Sequence, residues 1–237
     1  MSDVAKDLEI AIKGVSMIRI GIVISIVGGI VVFIVIVSWL SSLYQELLGG
    51  GYASISDIVA GITGIGLFIF SIMAISTILE IVGFAKLCST LDYGCGAWKA
   101  MAITFAIGTI LFALFMFMLN STAHSAHGSL ESIQRVVNTF RGISVLFGFV
   151  SFVTSVIVNV TFYSIGESEG VGALKIGGIL GILLAIIHVI SSIVPSNVGS
   201  ALICLVLMIA YIVFVLKGLG EFKGLLELRL LKVSTGG

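Results

Sequence analysis

Residues 15–40 read VSMIRIGIVISIVGGIVVFIVIVSWL, and this run indicates the class of the fold. A helix that crosses the hydrocarbon core of a bilayer needs roughly 20 mostly apolar residues, and this run meets that length with Arg19 as its one charged residue. It lacks the strict alternation of polar and apolar residues that a membrane barrel strand shows. We therefore predict a transmembrane α-helix here, and the same pattern recurs along the chain.

Together with that run, the predicted spans are 15–40, 58–84, 100–119, 143–163, 176–193 and 201–216. The 237 residues are 59% hydrophobic and 10% charged, which leaves too little charge to cover a soluble domain. The sequence therefore predicts an all-α, polytopic helical bundle with about six spans, forming a single membrane domain over residues 1–237. The lipid bilayer is its first expected partner, and a net charge of zero gives no reason to expect nucleic acid.

The distribution of lysine and arginine predicts the orientation. These residues cluster at both chain ends and around the loops after spans two and four, whereas the opposite side carries only Arg135 and Arg141. The positive-inside rule then places both termini in the cytoplasm, with the protein in the cell membrane. The length of the first run and the acidic residues before it argue against a cleaved signal peptide.

Three segments outside the spans have apolar residues at helical spacing. Residues 2–13 predict an amphipathic helix that enters the first span, residues 129–141 an amphipathic segment on the outer side, and residues 219–233 a cytoplasmic amphipathic tail along the inner membrane surface. The stripe of the first segment consists of Val4, Leu8, Ala11 and Val15.

A short motif occurs twice and indicates an internal repeat. GCGAWKA at residues 94–100 and GVGALKI at 170–176 both fit Gly-x-Gly-Ala-x-Lys, and each stands between a phenylalanine at the end of one span and the start of the next. LKGLGEF near the end and AIKG near the beginning form a weaker third copy. We predict three parallel two-helix hairpins, which place Lys13, Lys99 and Lys175 at the inner entrances of spans one, three and five.

The motif has an architectural and a ligand-binding interpretation. Glycines permit a sharp turn into a helix, and a lysine one turn further on reaches the lipid headgroups, where it sets the depth of the helix. Anion binding at the helix N-terminus is the alternative. The glycine spacing differs from that of known phosphate-binding loops, so the architectural interpretation is favoured, with the three lysines as interfacial, headgroup-contacting residues.

Four residues are candidate polar contacts within the membrane: Arg19, Glu80, Asn159 and His188. The first three lie near the inner ends of their spans and His188 lies toward the outer face, so we expect no ionisable side chain near the midplane. Glu80 is expected to pair with Lys99 or Arg19, Asn159 to hydrogen-bond another helix, and His188 to be a bundle residue. The set offers no proton relay and no pair of haem ligands, and no cofactor is expected.

Histidines and cysteines outside these positions give weak signals. His124 and His127 form an HxxH pair in an outer loop with Glu131 nearby, but a zinc site needs three or four ligands, and we expect no metal. Cys88 and Cys95 lie on the predicted cytoplasmic side, where thiols stay reduced, so we expect no disulfide.

Small residues at helical spacing predict close helix packing. Gly21 and Ser25 share one face of span one, and Gly177, Gly181 and Ala185 share one face of span five. These stripes suit contacts within the bundle or with a partner subunit.

Three stretches carry a resemblance to a known group: LEIAIKGVSMIRIG at 8–21, EIVGFAKL at 80–87 and LMIAYIVFVLKGLGEF at 207–222. With them the chain resembles small multi-pass archaeal membrane proteins of unknown function. The resemblance implies an archaeal source and carries no activity, cofactor or site residue.

The favoured functional hypothesis is a non-catalytic accessory or structural subunit that packs into a larger membrane complex or self-associates. The alternative is a small transporter or channel, with the three motif lysines around a mouth that favours an anionic solute. A lipid-modifying enzyme that uses Glu80, His124 or His127 ranks last, because no nucleophile and base come together in the sequence. We expect no catalytic residue.

Overall fold

The computed structural model describes residues 3–48, 55–124, 130–193 and 198–235, and these form six α-helices and no strand. The helices are α1 (Asp3–Leu48), α2 (Ile55–Leu91), α3 (Cys95–His124), α4 (Leu130–Ser168), α5 (Gly172–Ile193) and α6 (Val198–Ser234). Over the described residues, all helices except α5 contain a stretch long and apolar enough to cross a membrane, and α5 contributes a shorter apolar stretch, Gly172–Ile187. The predicted class, an all-α membrane bundle, is confirmed.

The chain contains two compact units. Unit 1 comprises Met1–Ile22, Thr77–Thr104 and Gly148–Gly237, and unit 2 comprises Val23–Ser76 and Phe105–Phe147. Each unit is therefore assembled from segments that are distant in the sequence.

Unit 1 has a continuous apolar core to which α1 to α6 all contribute. Its members are Leu8, Ala11, Val15, Ile18, Phe84, Leu87, Ala97, Met101, Phe162, Ile165, Val171, Leu174, Val215, Leu219, Phe222 and Leu226. The α1 members recur every three or four residues, as an amphipathic helix requires. Val4 of the predicted stripe is exposed, and Ala5 faces the core in its place.

The predicted tail, residues 219–233, continues α6 without a break. Leu219, Phe222 and Leu226 are fully buried in the core of unit 1. This face of the tail is therefore covered by protein, and the position of the tail along the inner membrane surface stays a prediction.

The predicted outer segment, residues 129–141, falls in the first turns of α4, which begins at Leu130. Most of its side chains lie outside the described residues. Gln134 and Asn138 are described and exposed, and the Gln134 amide donates to the Asn138 oxygen at 3.4 Å.

Unit 2 is thinly packed by comparison. Its apolar cluster has two buried members among the described residues, Val59 and Leu119, with Ile62 and Phe115 packed against them. The rings of Phe70 and Phe112 stack at 4.6 Å between centroids and join α2 to α3. Many of the apolar side chains that the structure describes in this unit are exposed, among them Phe33, Ile34 and Phe117.

Candidate functional site

The two copies of the glycine motif share a backbone conformation. Gly94 and Gly170, the first glycine of each copy, have φ angles of +76° and +70°. Side chains disfavour this left-handed region, whereas glycine enters it freely. The alanines of the motif, Ala97 and Ala173, are both buried where the next helix begins. The motif thus turns the chain and packs the new helix, which supports the architectural interpretation.

The phenylalanines that precede the two motifs meet in the core of unit 1. Phe84 and Phe162 are buried, with ring centroids 5.6 Å apart. Phe222, which closes the weaker third copy, is also fully buried in the same core. Equivalent positions of the proposed repeat therefore converge on one cluster.

A hydroxyl pair links the two helices in each of the first two predicted hairpins. Ser25 of α1 bonds to the buried Ser76 of α2, and Thr104 of α3 bonds to Thr154 of α4 at 2.6 Å. Ser76 and Thr154 stand the same number of residues before the buried phenylalanine of their own copy. This correspondence supports the two-copy repeat beyond the motif itself.

Two of the three motif lysines are paired with carboxylates. Lys13 lies 3.0 Å from Glu9 one turn earlier in α1. The Lys175 ammonium donates to Glu167 at 3.0 Å and lies 5.2 Å from the centre of the Tyr163 ring. The hydrogen bond to the Glu167 carboxylate raises the pKa of Lys175.

Lys99 is exposed, and its ammonium lies 5.8 Å from the centre of the neighbouring Trp98 ring. Trp98 itself packs against the core of unit 1. An aromatic ring with a lysine beside it is typical of a membrane interface. The position suits the interfacial role that the sequence predicts for this lysine.

Cys88 and Cys95 form a disulfide, and the expectation of two reduced thiols is wrong. The loop between α2 and α3 turns sharply at Asp92 and Gly94, both with positive φ, and the two Cα atoms come within 4.8 Å. The bond ties the end of α2 to the start of α3. Disulfides persist mainly in oxidising compartments or inside hyperthermophiles. With this loop on the predicted cytoplasmic side the bond therefore favours a hyperthermophilic source, and otherwise it argues against that orientation.

A cluster around the Glu169 carboxylate, which the sequence did not indicate, joins three parts of unit 1. The Glu169 side chain is 9% exposed and accepts from Arg229 Nη2 at 2.6 Å and from Nη1 at 3.4 Å. The Tyr93 hydroxyl donates to Glu169 at 3.1 Å and lies 2.8 Å from Ser168 Oγ. The loop after α2, the end of α4 and the tail are thus held by one buried acid.

Asn159 does not form the predicted interhelical hydrogen bond. Its Nδ2 donates to the Ser155 carbonyl, one turn earlier in α4, at 2.8 Å. Its Oδ1 has no hydrogen-bond partner among the described residues and lies against Gly181 of α5, where an added Cβ would overlap it. The amide nitrogen thus forms a hydrogen bond within α4, while the amide oxygen lies where α4 and α5 approach each other closely.

Of the other three candidate polar contacts, the structure describes the side chains of two, Arg19 and Glu80. Arg19 is half-buried on α1, with its guanidinium 3.7 Å from the position that a Cβ on Gly220 of α6 would take. Glu80 is half-buried on α2, and its pairing with Lys99 or Arg19 stays a prediction. The side chain of His188 lies outside the described residues, as do the side chains of His124, His127 and Glu131.

The predicted small-residue stripes are used inside the bundle. A Cβ on Gly177 would meet Val215 of α6 at 2.8 Å, and Gly181 and the buried Ala185 face Asn159 and its cavity. On α1, Gly21 is buried and Ser25 bonds to α2. These residues therefore hold neighbouring helices of the same chain together.

A half-open cavity of about 320 Å³ lies between α4, α5 and α6 in unit 1. It is lined by Ser151, Phe152, Ser155, Asn159, Gly181, Leu184, Ala185 and Tyr211. In the part of the chain that the structure describes, no three His, Cys, Asp or Glu side chains cluster as metal ligands would. The cavity is a candidate ligand site in the part of the chain that the structure describes.

No known protein family, no curated protein and no solved structure matches the chain. Its class, a helical membrane protein, follows from its own sequence and structure. The resemblance to small archaeal membrane proteins stays a prediction.

Proposed function

We propose that this protein is a non-catalytic integral membrane subunit that packs into or stabilises a larger membrane assembly, in the cell membrane and with both termini in the cytoplasm. One observation carries the proposal. In the most apolar 18-residue stretches of α2 and α3, only 6% of the residues are buried inside the protein. The chain leaves most of these two apolar stretches for other molecules to cover.

Glycines that the chain does not use for its own packing support a protein partner over lipid alone. On α1, Gly28 packs against Ile72, but a Cβ on the adjacent Gly29 would meet no atom within 4 Å. Gly64 on α2 is equally open. Glycine costs roughly 1 kcal/mol relative to alanine within a helix. Open glycines on membrane helices are well suited to the close approach of a partner helix.

The alternative, a small transporter or channel for an anionic solute, has less support. Lys13 and Lys175 each have a carboxylate partner within 3.0 Å, so they offer little free positive charge to an anion. The cavity of unit 1 is lined by uncharged residues. Neither feature favours anion conduction.

Gentle extraction of the full-length tagged protein from its own membranes, followed by native mass spectrometry, tests the proposal. We expect stoichiometric co-migration with another subunit or with a second copy. The paired substitution Gly29→Leu with Gly64→Leu should abolish it, because the new side chains have space in the isolated protein but would obstruct a docked helix. Gly224→Leu, at an equally open glycine of α6, is the matched control and should leave co-migration intact.

Two results would count against the proposal. One is a wild-type protein that runs only as a monomer under conditions that preserve known membrane complexes. The other is co-migration that the paired leucine variant and the control retain equally. In either case flux measurements in liposomes would test the transport alternative.

A further inference from the structure

The cavity of unit 1 gathers polar side chains from two helices. Ser151, Ser155 and Tyr211 line it with hydroxyl groups. Asn159 completes the polar part of the lining, and its Oδ1 has no hydrogen-bond partner among the described residues. In a chain that is 59% hydrophobic, this convergence from two helices is a marked local concentration of polar groups.

The depth of these groups makes an unpaired polar atom, such as Asn159 Oδ1, costly. Ser151 and Ser155 lie near the middle of the predicted span 143–163, where no bulk water is present to satisfy a hydroxyl. Unsatisfied polar groups in hydrocarbon are unfavourable, and polar residues at this depth usually face a cavity or a binding site. A ligand group that hydrogen-bonds would remove this cost.

The lining also defines the chemistry of the ligand. None of the lining residues is charged, and the nearby Glu80 carboxylate acts electrostatically on Tyr211, which disfavours an anion, whereas serine and tyrosine hydroxyls both donate and accept. Phe152, Leu184 and Ala185 supply apolar walls. The volume, about 320 Å³, is at the small end of the range for ligand pockets.

The cavity is open to the surroundings of the helices. Ser155 is exposed at the surface of unit 1 although it lies within a predicted span. A molecule dissolved in the bilayer can therefore reach it laterally. Asn159 serves as a positioning residue, because its amide donates to the Ser155 carbonyl and fixes that turn of α4.

We propose that this cavity binds the hydroxyl end of an uncharged, membrane-dissolved alcohol, with the Tyr211 and serine hydroxyls as its hydrogen-bond partners. The inference is independent of the proposed subunit role, since the lining residues belong to unit 1 and the open glycines to unit 2.

The test uses the full-length protein in phosphatidylcholine vesicles and a diazirine-bearing octanol as a photoreactive probe. We expect saturable labelling of peptides that contain the cavity residues, mapped by mass spectrometry. Excess octanol should suppress this labelling, whereas octane, which has the same apolar body without the hydroxyl, should suppress it far less.

Two substitutions examine the hydroxyls directly. Tyr211→Phe and Ser155→Ala should each raise the half-saturating probe concentration about three- to tenfold, the range for one lost hydrogen bond. Tyr163→Phe and Ser164→Ala make the same chemical changes on α4 at positions that do not line the cavity, and they should leave the binding curve unchanged.

The proposal is overturned by labelling spread evenly over exposed span residues, by equal suppression with octane and octanol, or by equal effects of the cavity variants and their controls. A cavity that holds only water would give no saturable labelling and would overturn it as well.

Discussion

The Glu169 cluster supports a quantitative prediction about the stability of unit 1. Glu169→Ala removes a carboxylate whose side chain is 9% exposed and which accepts two hydrogen bonds from Arg229 and one from Tyr93. A hydrogen bond to a charged group contributes about 1.5–3 kcal/mol when it is sheltered. Arg229 is 51% exposed and regains water, and Tyr93 keeps Ser168, so the sum must be discounted. We expect a loss of about 1–2 kcal/mol.

The matched control is Glu221→Ala. Glu221 pairs with Lys217 on α6 at 3.8 Å, and both side chains are largely exposed, so about 0–0.5 kcal/mol is expected. The assay is reversible unfolding of the purified protein in mixed micelles by increasing SDS, followed by circular dichroism. A double-mutant cycle with Arg229→Ala should give a coupling of about 1 kcal/mol with Glu169. A loss from Glu169→Ala no larger than that from Glu221→Ala, or a cycle without coupling, would contradict this expectation.

Two further predictions concern the loops of the repeat. Gly94→Ala and Gly170→Ala should each destabilise the protein by about 1 kcal/mol or more because of their positive φ, with the larger loss at Gly94, where a Cβ would also overlap Phe84. Gly172→Ala, in open space at the start of α5, is the control, and equal effects at all three positions in the same unfolding assay would contradict the argument. For the disulfide, a maleimide–polyethylene glycol reagent should modify Cys88 and Cys95 in the denatured protein only after reduction, whereas the third cysteine should react without it. Modification of all three before reduction would show that the bond is absent.

Features that depend on neighbouring residues in the sequence were predictable. The helical class follows from the apolar runs, since a helix satisfies its own backbone hydrogen bonds wherever the chain enters a bilayer. The glycine motif was informative because its turn is local, and both first glycines adopt the same left-handed conformation. The stripes at Gly177 and Gly181 predicted close helix contacts, although the choice between internal and external partners required the structure.

Features that depend on residues far apart in the sequence were not predictable. Glu169 and Arg229 stand far apart in the sequence, and nothing near either one indicates the other. Asn159 was expected to bond another helix, but the carbonyl of Ser155 is within reach in its own helix, and such local hydrogen bonds compete with interhelical ones. No disulfide was expected because cytoplasmic thiols stay reduced, and that argument takes no account of how close the loop brings the two cysteines.

Span length and turn chemistry are properties of short stretches of chain, so the amino-acid sequence was enough to identify a helical membrane protein with a glycine turn that occurs twice. Which polar groups come together depends on how the helices pack, and that is seen only in the structure. Ser151, Ser155 and Tyr211 each look unremarkable in the sequence, and they define a cavity only because α4, α5 and α6 pack together in unit 1. A cavity is a property of the space between helices, and that space exists only after the helices have packed.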